Sequence, residues 1–241
     1  MNSRKGFVGC CLLVMVLLSV QTASASTFSL FEWVFNVDGT ISDSYFSDPL
    51  PSGLSGNLAA DGTPGSITMT MTGGGARYFG AMFDYEMDEI LNGFSNEYGV
   101  ASGSPVAGQS WEIDEPGWVF GDIYTNLGNS ALDNTNAVQT GTPDDVSIAF
   151  GWNVVLQSWQ TALITLNLSH TAPTSGFYLG HFDPDSNASL YFSSSLRITG
   201  TQPPTGAPEP GTAALLLVGL GVTGAISRAK RKKSAASSVV G

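Results

Sequence analysis

A cluster of acids between two tryptophans offers the first candidates for chemistry. Glu112, Asp114 and Glu115 lie between Trp111 and Trp118. Glycoside hydrolases use two carboxylates that flank a sugar, and aromatic rings can stack beside them. On a strand Glu112 and Asp114 would share one face, but two such acids are commonly a solvated edge. A sequence does not show how far apart carboxylates lie across a cleft, so we assign no catalytic residue, and a secreted hydrolase is the least favoured alternative.

An Asp-rich stretch near the end of the acidic region offers candidates for calcium. Asp183, Asp185 and Asn187 place oxygen ligands at alternating positions, as an EF-hand loop does at its start. The match then fails, because Ala188 replaces the required glycine and Ser194 stands where the bidentate glutamate belongs. A calcium site outside the EF-hand class remains one interpretation, and an ordinary Asp-rich turn is the other.

Two further groups of acids leave the same two interpretations open. Either could supply carboxylate oxygens to calcium, and either could be a solvated turn of an acidic protein. The groups are Asp144 with Asp145, and Asp84 with Glu86, Asp88 and Glu89.

Histidine and cysteine are too scarce for nucleophilic or zinc chemistry. Only His170 and His181 occur, and we expect both to be surface or turn residues. Two histidines cannot build a three-histidine zinc site. Cys10 and Cys11 both lie in the first apolar run, so a chain that loses this run has no thiol.

The tryptophans provide candidates for sugar binding, because an exposed indole can stack on a pyranose ring. Trp152 belongs to an alternating apolar pattern and is expected in the core. Trp111, Trp118 and Trp159 remain undecided between core and surface.

Charge is distributed unevenly along the chain. Residues 26–206 hold 19 of the 20 Asp and Glu residues, but their only basic residues are Arg77 and Arg197. Nucleic-acid binding needs clustered Lys and Arg to neutralise phosphates, so this composition excludes a nucleic-acid partner.

The N-terminus has the three parts of a secretory signal peptide. Arg4 and Lys5 form a positive start, and residues 6–20 form an uncharged apolar stretch. Ala23 and Ala25 supply the small residues that signal peptidase recognises, which predicts a signal peptide over residues 1–25 with cleavage after Ala25.

The C-terminus has an export-related organisation of its own. Residues 201–211 are rich in proline and predict an extended linker. Residues 212–227 are uncharged and mostly apolar, which predicts a transmembrane helix, and residues 228–241 form a basic cytoplasmic tail. The stop-transfer cluster consists of Arg228, Lys230, Arg231, Lys232 and Lys233.

These C-terminal parts together resemble the PEP-CTERM sorting signal. The tripeptide Pro208-Glu209-Pro210 precedes the apolar helix and the basic cluster in the order typical of that family. The resemblance implies processing by exosortase, a membrane protease-transpeptidase, in a Gram-negative bacterium that makes extracellular polysaccharide. It also implies passage through the inner membrane and a final place at the cell surface or in the extracellular matrix. Here residues 234–241 extend beyond the usual end of the family.

The apolar helix also contains the pattern Gly219-x-Gly221-x-x-Gly224, which matches a dinucleotide fingerprint. That fingerprint requires a βαβ unit and an acid about 20 residues later. The chain has no acid after Glu209, so small residues of a membrane helix explain the pattern, and no cofactor is predicted.

Residues 26–200 predict one all-β domain. Alternation of apolar and polar residues predicts strands that are separated by Gly, Asn, Asp and Pro turns. In the first strand we expect Phe31, Trp33, Phe35 and Val37 to share one face. Two packed antiparallel sheets follow, as a jelly-roll-like β-sandwich. The strands are predicted at 31–37, 66–72, 77–87, 146–154, 162–168, 177–180 and 190–198.

Helical signals are few in this region. Residues 84–94 predict either a short helix or an extension of the preceding strand, and residues 130–138 are a weaker helical candidate. The region also resembles the β-rich ectodomains that often precede PEP-CTERM tails, through residues 111–124, 143–152 and 175–179. That resemblance implies no known activity.

The sequence therefore predicts a non-enzymatic exported protein of the cell surface or extracellular matrix, processed by signal peptidase and exosortase. We expect it to associate with exopolysaccharide or biofilm. The alternative is a carbohydrate-binding module.

Overall fold

The computed structural model describes residues 27–88, 93 and 95–203. The predicted signal peptide, the sorting tripeptide, the apolar helix and the basic tail lie outside these residues, so the predicted domain boundaries stay predictions. Within the described part of the chain, no helix is long and apolar enough to cross a membrane.

The described chain forms two antiparallel sheets, which confirms the all-β prediction. Sheet A has the strand order β2-β1-β5-β8-β7, and sheet B has the order β3-β4-β9-β11-β10-β6. Jelly-roll connectivity stays a prediction. The strands are β1 Phe28–Val37, β2 Thr40–Asp43, β3 Leu54–Asn57, β4 Gly65–Thr72, β5 Gly75–Met87, β6 Tyr98–Ser102, β7 Gln109–Asp114, β8 Ser147–Leu156, β9 Thr161–Ser169, β10 Tyr178–Asp183 and β11 Ala188–Thr199.

The inward faces of the two sheets share one hydrophobic core. In β4 the buried residues Ile67, Met69 and Met71 alternate with threonines, as the period of two requires. Across the core, Phe83 of sheet A stacks on Phe192 of sheet B, with 6.1 Å between ring centroids. The structure contains all seven strands that the alternation predicted.

One residue of the first predicted strand departs from the expected pattern. Trp33, Phe35 and Val37 pack in or against the core, but Phe31 is exposed. The register of β1 against β5 shifts between Leu30 and Glu32, which is a β-bulge. A bulge adds one residue and re-aims its neighbours, and here it turns Phe31 away from the core.

The outer face of sheet A is covered by helix α1, Ile123–Gly128. Ile123 and Leu127 are fully buried and pack with Val34, Met82 and Ala149 of the sheet. The approach is close at Gly80, where an added Cβ would lie 2.6 Å from Leu127 Cδ1. Sheet A is therefore buried on both faces, with its central strands between the main core and a second, smaller one.

The structure corrects one of the two helical predictions and decides the described part of the other. Residues 130–138 are not helical, because Ser130 and Asn134 adopt positive φ angles of 59° and 64°. The strand alternative is confirmed for Asp84–Met87, which continue β5. Residues 89–92 and 94 lie outside the described residues.

Candidate functional site

A row of polar residues crosses the outer face of sheet A. Glu32 of β1 pairs with Asp84 of β5, Asp84 pairs with Ser147 of β8, and Ser147 pairs with Asp114 of β7. Like charges that lie directly opposite each other on a sheet are destabilising. The neighbouring row contains Val34, Met82 and Ala149, so alternation along each strand places acids and apolar residues on the same covered face.

The acids of β7 are buried, so the interpretation of Glu112 and Asp114 as a solvated edge is wrong. Glu112 and Asp114 do share one face, but they are only 1% and 7% exposed. They are buried because α1 and its flanking loops cover this face of the sheet. The alternation within β7 gives no sign of that cover.

A cavity of about 450 Å³ opens beside the polar row, at Asp84, and we call it the acidic cavity. One part of its lining is acidic and includes Asp84, Glu86 and Asp145. The other part is apolar and includes residues 116–120. The full lining is Phe31, Asp84, Glu86, Ser95, Glu115, Pro116, Trp118, Val119, Phe120, Asp144 and Asp145.

Three of the lining carboxylates converge, and we call them the cavity group. One carboxylate oxygen from each of Asp84, Glu86 and Asp145 lies within 4.8 Å of the other two. Asp84 is only 1% exposed, and its Oδ1 atom has no hydrogen-bond partner. Asp145 Oδ1 is also buried without a partner.

Burial and mutual repulsion raise the pKa values of these groups. Burial, followed by the charge of Asp145, raises the pKa of Asp84 well above its usual value. Burial, followed by the charge of Glu97, raises the pKa of Asp145 to about 7. Glu32, which pairs with Asp84 in the row, has its pKa raised to about 8, mainly by burial and then by Asp43. The site therefore disfavours its own negative charge.

The basic side chain that acts on this site is His181. Its Nε2 atom lies 2.5 Å from Glu97 Oε2, and both residues are fully buried. Glu97 Oε1 accepts a further hydrogen bond from the amide of Met87. The prediction that His181 is a surface or turn residue is therefore wrong, because it lies in the buried part of β10.

His170 agrees with the same prediction. It lies exposed directly after β9, where its ring stacks on Phe28 and its Nε2 contacts the carbonyl of Gly62.

A second acidic group, which we call the helix group, lies beside α1. It consists of Glu112, Asp122 and Asp133, whose carboxylate oxygens also lie within 4.8 Å of one another. Asn126 Nδ2 lies 3.0 and 3.2 Å from the two oxygens of Glu112, and the amide of Asp133 donates to Glu112 Oε2. Burial raises the pKa of Glu112 to about 7, and these donors oppose the rise. Hydrogen bonds thus satisfy the buried member of this group.

The calcium candidates Asp183, Asp185 and Asn187 form the turn between β10 and β11. Asn96 Nδ2 donates to Asp183 Oδ1 at 3.0 Å, and the amide of Asp185 donates to the same oxygen. Ser186 Oγ donates to Asp183 Oδ2, and Asn187 has a positive φ of 59°. These contacts are those of an Asp-rich turn, and calcium binding there stays a prediction.

The described members of the predicted group Asp84, Glu86, Asp88 and Glu89 lie in two different places. Asp84 and Glu86 line the acidic cavity together with the predicted pair Asp144 and Asp145. Asp88 lies apart, at the end of β5, where it accepts hydrogen bonds from the amide and hydroxyl of Thr27.

Exposed aromatic residues form an aromatic patch next to the acidic cavity, defined by Tyr45, Phe46, Trp118 and Phe120. Tyr45 contacts both Phe46 and Trp118, with ring centroids 5.3 and 4.4 Å apart. Trp118 is 49% exposed and also lines the cavity. Tyr45 and Phe46 were not identified from the sequence, because they lie about 70 residues from Trp118 and follow no motif.

The other candidate tryptophans are less accessible. Trp152 is buried in the core as predicted, and its Nε1 donates to Ser194 Oγ. Trp111 is half-buried against Phe177, and Trp159 is half-buried in the turn between β8 and β9.

Comparison with known families gives one match. Residues 207–232 match the PEP-CTERM protein-sorting motif. The matched segment includes the tripeptide Pro208-Glu209-Pro210 and the basic residues Arg228, Lys230, Arg231 and Lys232, whereas Lys233, Ala23 and Ala25 lie outside it. No curated protein and no solved structure matches the chain.

Proposed function

We propose that this chain, which carries the sorting signal of an exported exosortase substrate, is a non-enzymatic protein of the cell surface or extracellular matrix that associates with exopolysaccharide. The sorting motif carries this proposal, because it marks an exported protein, and exopolysaccharide also lies outside the cell. We assign the described residues to one β-sandwich domain that remains after the terminal signals are removed.

The buried state of Glu112 supports a non-enzymatic role. A glycosidase needs an acid and a second carboxylate that face a sugar across a cleft. Glu112 is 1% exposed, and Asn126 and the amide of Asp133 already occupy its oxygens. A hydrolase that used Glu112 would first have to break these contacts.

A second candidate function is direct carbohydrate binding, and the aromatic patch favours it. Exposed aromatic rings are amphipathic contact surfaces, and clustered apolar exposure marks interaction sites. Trp118 adjoins Tyr45 on one side and the carboxylates of the acidic cavity on the other. Sugar rings could stack on the indole while their hydroxyls donate to these carboxylates.

Co-sedimentation of the exported protein with exopolysaccharide from the producing cells tests both functions. We expect the wild type to bind, and Trp118→Ala to bind at least about tenfold more weakly, because a central aromatic hot spot typically carries about 2 kcal/mol or more. Trp159→Ala is the matched control, since this tryptophan lies far along the chain in a different turn, and it should bind as the wild type does.

Different results would reject association with exopolysaccharide and direct binding through the aromatic patch. Equal binding by Trp118→Ala and the wild type would reject the aromatic patch as the binding surface. Absence of binding by the wild type would reject association with exopolysaccharide. Hydrolysis of the polysaccharide that disappears in Glu112→Gln would reject the non-enzymatic role.

A further inference from the structure

We propose that the cavity group, formed by Asp84, Glu86 and Asp145, binds a divalent cation, and that this cation is calcium. The proposal goes beyond the polysaccharide association above and does not depend on it.

The spacing of the three carboxylates fits a shared ion. Calcium lies about 2.3–2.6 Å from its oxygen ligands, so oxygens on one ion are at most about 5 Å apart. The oxygens of Asp84, Glu86 and Asp145 all fall within 4.8 Å of one another. A single ion between them would need only small side-chain movements, and no rearrangement of the strands, to contact all three.

Asp84 provides an independent indication of a ligand. Its side chain lines the acidic cavity, it is 1% exposed, and its Oδ1 has no hydrogen-bond partner. A buried carboxylate without a partner is costly, and proteins normally pair such a group or use it to coordinate a metal. The unpartnered Oδ1 of Asp145 lines the same cavity and has the same need.

No protein cation satisfies this need among the described residues. Arg77 is bound to Asp38, and Arg197 is exposed on β11 of sheet B. His181 lowers the pKa of Asp145 through its charge, but its Nε2 is engaged with Glu97. The lining itself adds two further acids, Glu115 and Asp144, and the described lining residues include no Lys, Arg or His.

The chemistry of the lining favours calcium over other metals. Its ligating groups are carboxylates, with no thiolate and no free imidazole among the described lining residues, and hard oxygen ligands suit calcium and magnesium. A cavity of about 450 Å³ leaves space for several waters and for Glu115 or Asp144 to join the ion. Calcium accepts six to eight ligands in flexible geometry, whereas magnesium demands a compact octahedron.

Cation binding would also hold the aromatic patch in place. Glu115 immediately precedes the segment that carries Trp118 and Phe120, and all three residues line the acidic cavity. An ion at the cavity group would therefore connect the sheet to this segment through Glu115 or through bound water.

The test is calcium titration of the exported protein, measured by calorimetry and by thermal unfolding with calcium or with chelator. We expect saturable binding with Kd of about 0.1–1 mM, the range of extracellular calcium modules. Asp84→Asn should weaken binding at least about tenfold. Asp122→Asn, in the helix group, is the matched control and should bind calcium as the wild type does.

Thermal unfolding separates calcium binding by Asp84 from a purely structural role of this residue. With chelator, Asp84→Asn should unfold at a higher temperature than the wild type, because on folding the wild type must either bury an unpartnered charge or take up a proton, and asparagine does neither. With calcium the wild type should gain stability and the variant should not. Asp145→Asn should behave in the same way, so it carries the test if Asp84→Asn does not fold.

Three results would overturn the proposal. One is the absence of saturable calcium binding by the wild type up to about 10 mM, well above the expected range. Another is unchanged affinity in both Asp84→Asn and Asp145→Asn. The third is loss of binding in Asp122→Asn while Asp84→Asn keeps it, which would move the ion to the helix group.

Discussion

The cavity group and the helix group lie under the same cover on the same sheet, yet their buried oxygens are satisfied differently. In the helix group, Asn126 and the amide of Asp133 donate to Glu112. In the cavity group, Oδ1 of Asp84 and Oδ1 of Asp145 are buried without partners. Three acids at a similar spacing therefore form an internal polar network in one place and leave two buried carboxylate oxygens, those of Asp84 and Asp145, unsatisfied in the other.

This difference shows that spacing alone does not define a cation site. Both groups bring three carboxylate oxygens within 4.8 Å of one another, and only the surrounding donors separate them. A buried acid with donors gains hydrogen bonds to its charged form, whereas a buried acid without donors favours its neutral form. The second kind of acid is the one that an added cation can stabilise.

The largest effect that we expect is the change in the stability of the metal-free protein with pH. Burial raises the pKa values of Asp145 and Glu112 to about 7 and that of Glu32 to about 8, and it raises the pKa of Asp84 as well. An acid with a raised folded-state pKa binds its proton more tightly when folded, so its stabilising contribution is present at low pH. That contribution is lost as pH rises from about 4 to about 8.

We therefore expect the metal-free protein to be about 3 kcal/mol more stable at pH 5 than at pH 8, after allowance for partial exposure. Urea unfolding at the two pH values measures this difference. Calcium should reduce the difference, because the cavity group must be deprotonated to bind metal. Stability that rises with pH in the absence of metal would contradict the assignment of unsatisfied buried acids.

The next effect comes from removing the donor that satisfies the helix group. Asn126→Ala should destabilise the fold by about 1–2 kcal/mol, because it leaves the buried Glu112 with one donor fewer. Alanine favours a helix by up to about 0.7 kcal/mol over asparagine, so the loss must exceed that gain. Urea unfolding measures it, and Asn129→Ala, just beyond the end of α1, is the control that should change stability by under about 0.5 kcal/mol.

An Asn126→Ala variant as stable as the wild type would remove the distinction between the two groups. The helix group would then also contain a buried acid that needs no donor, and the absence of donors at Asp84 would no longer point to a ligand.

The sequence predicted the strands of this fold better than it predicted the site. Alternation within one strand is local, so β4 and β8 could be identified from their own residues. The cavity group joins residues about 60 positions apart, because Asp84 on β5 pairs with Ser147 on β8 and Asp145 precedes that strand. The sequence suggested Asp84 with Glu86, and Asp144 with Asp145, as separate candidates, and only the strand register brings them together.

The burial of His181 was missed for the same reason, because it depends on a residue that lies far away in the sequence. Its partner Glu97 lies 84 residues away, in a segment for which the sequence predicted no strand. The alternation that places His181 among the buried residues of β10 covers only a short strand. The pair could not be recognised without the pairing of β10 with β6.

The smallest expected effect separates the acidic cavity from the turn that resembles an EF-hand. Asp185→Asn removes one charge from that turn, but Asn can still accept the 3.3 Å contact from Asn96, and Asp183 keeps its own donors. We expect a stability change under about 0.5 kcal/mol and an unchanged calcium affinity in calorimetry. A loss of affinity here, together with normal binding by Asp84→Asn, would place the ion in the β10–β11 turn. The local Asp spacing would then be a better guide to the ion than the unsatisfied carboxylates beneath the aromatic patch.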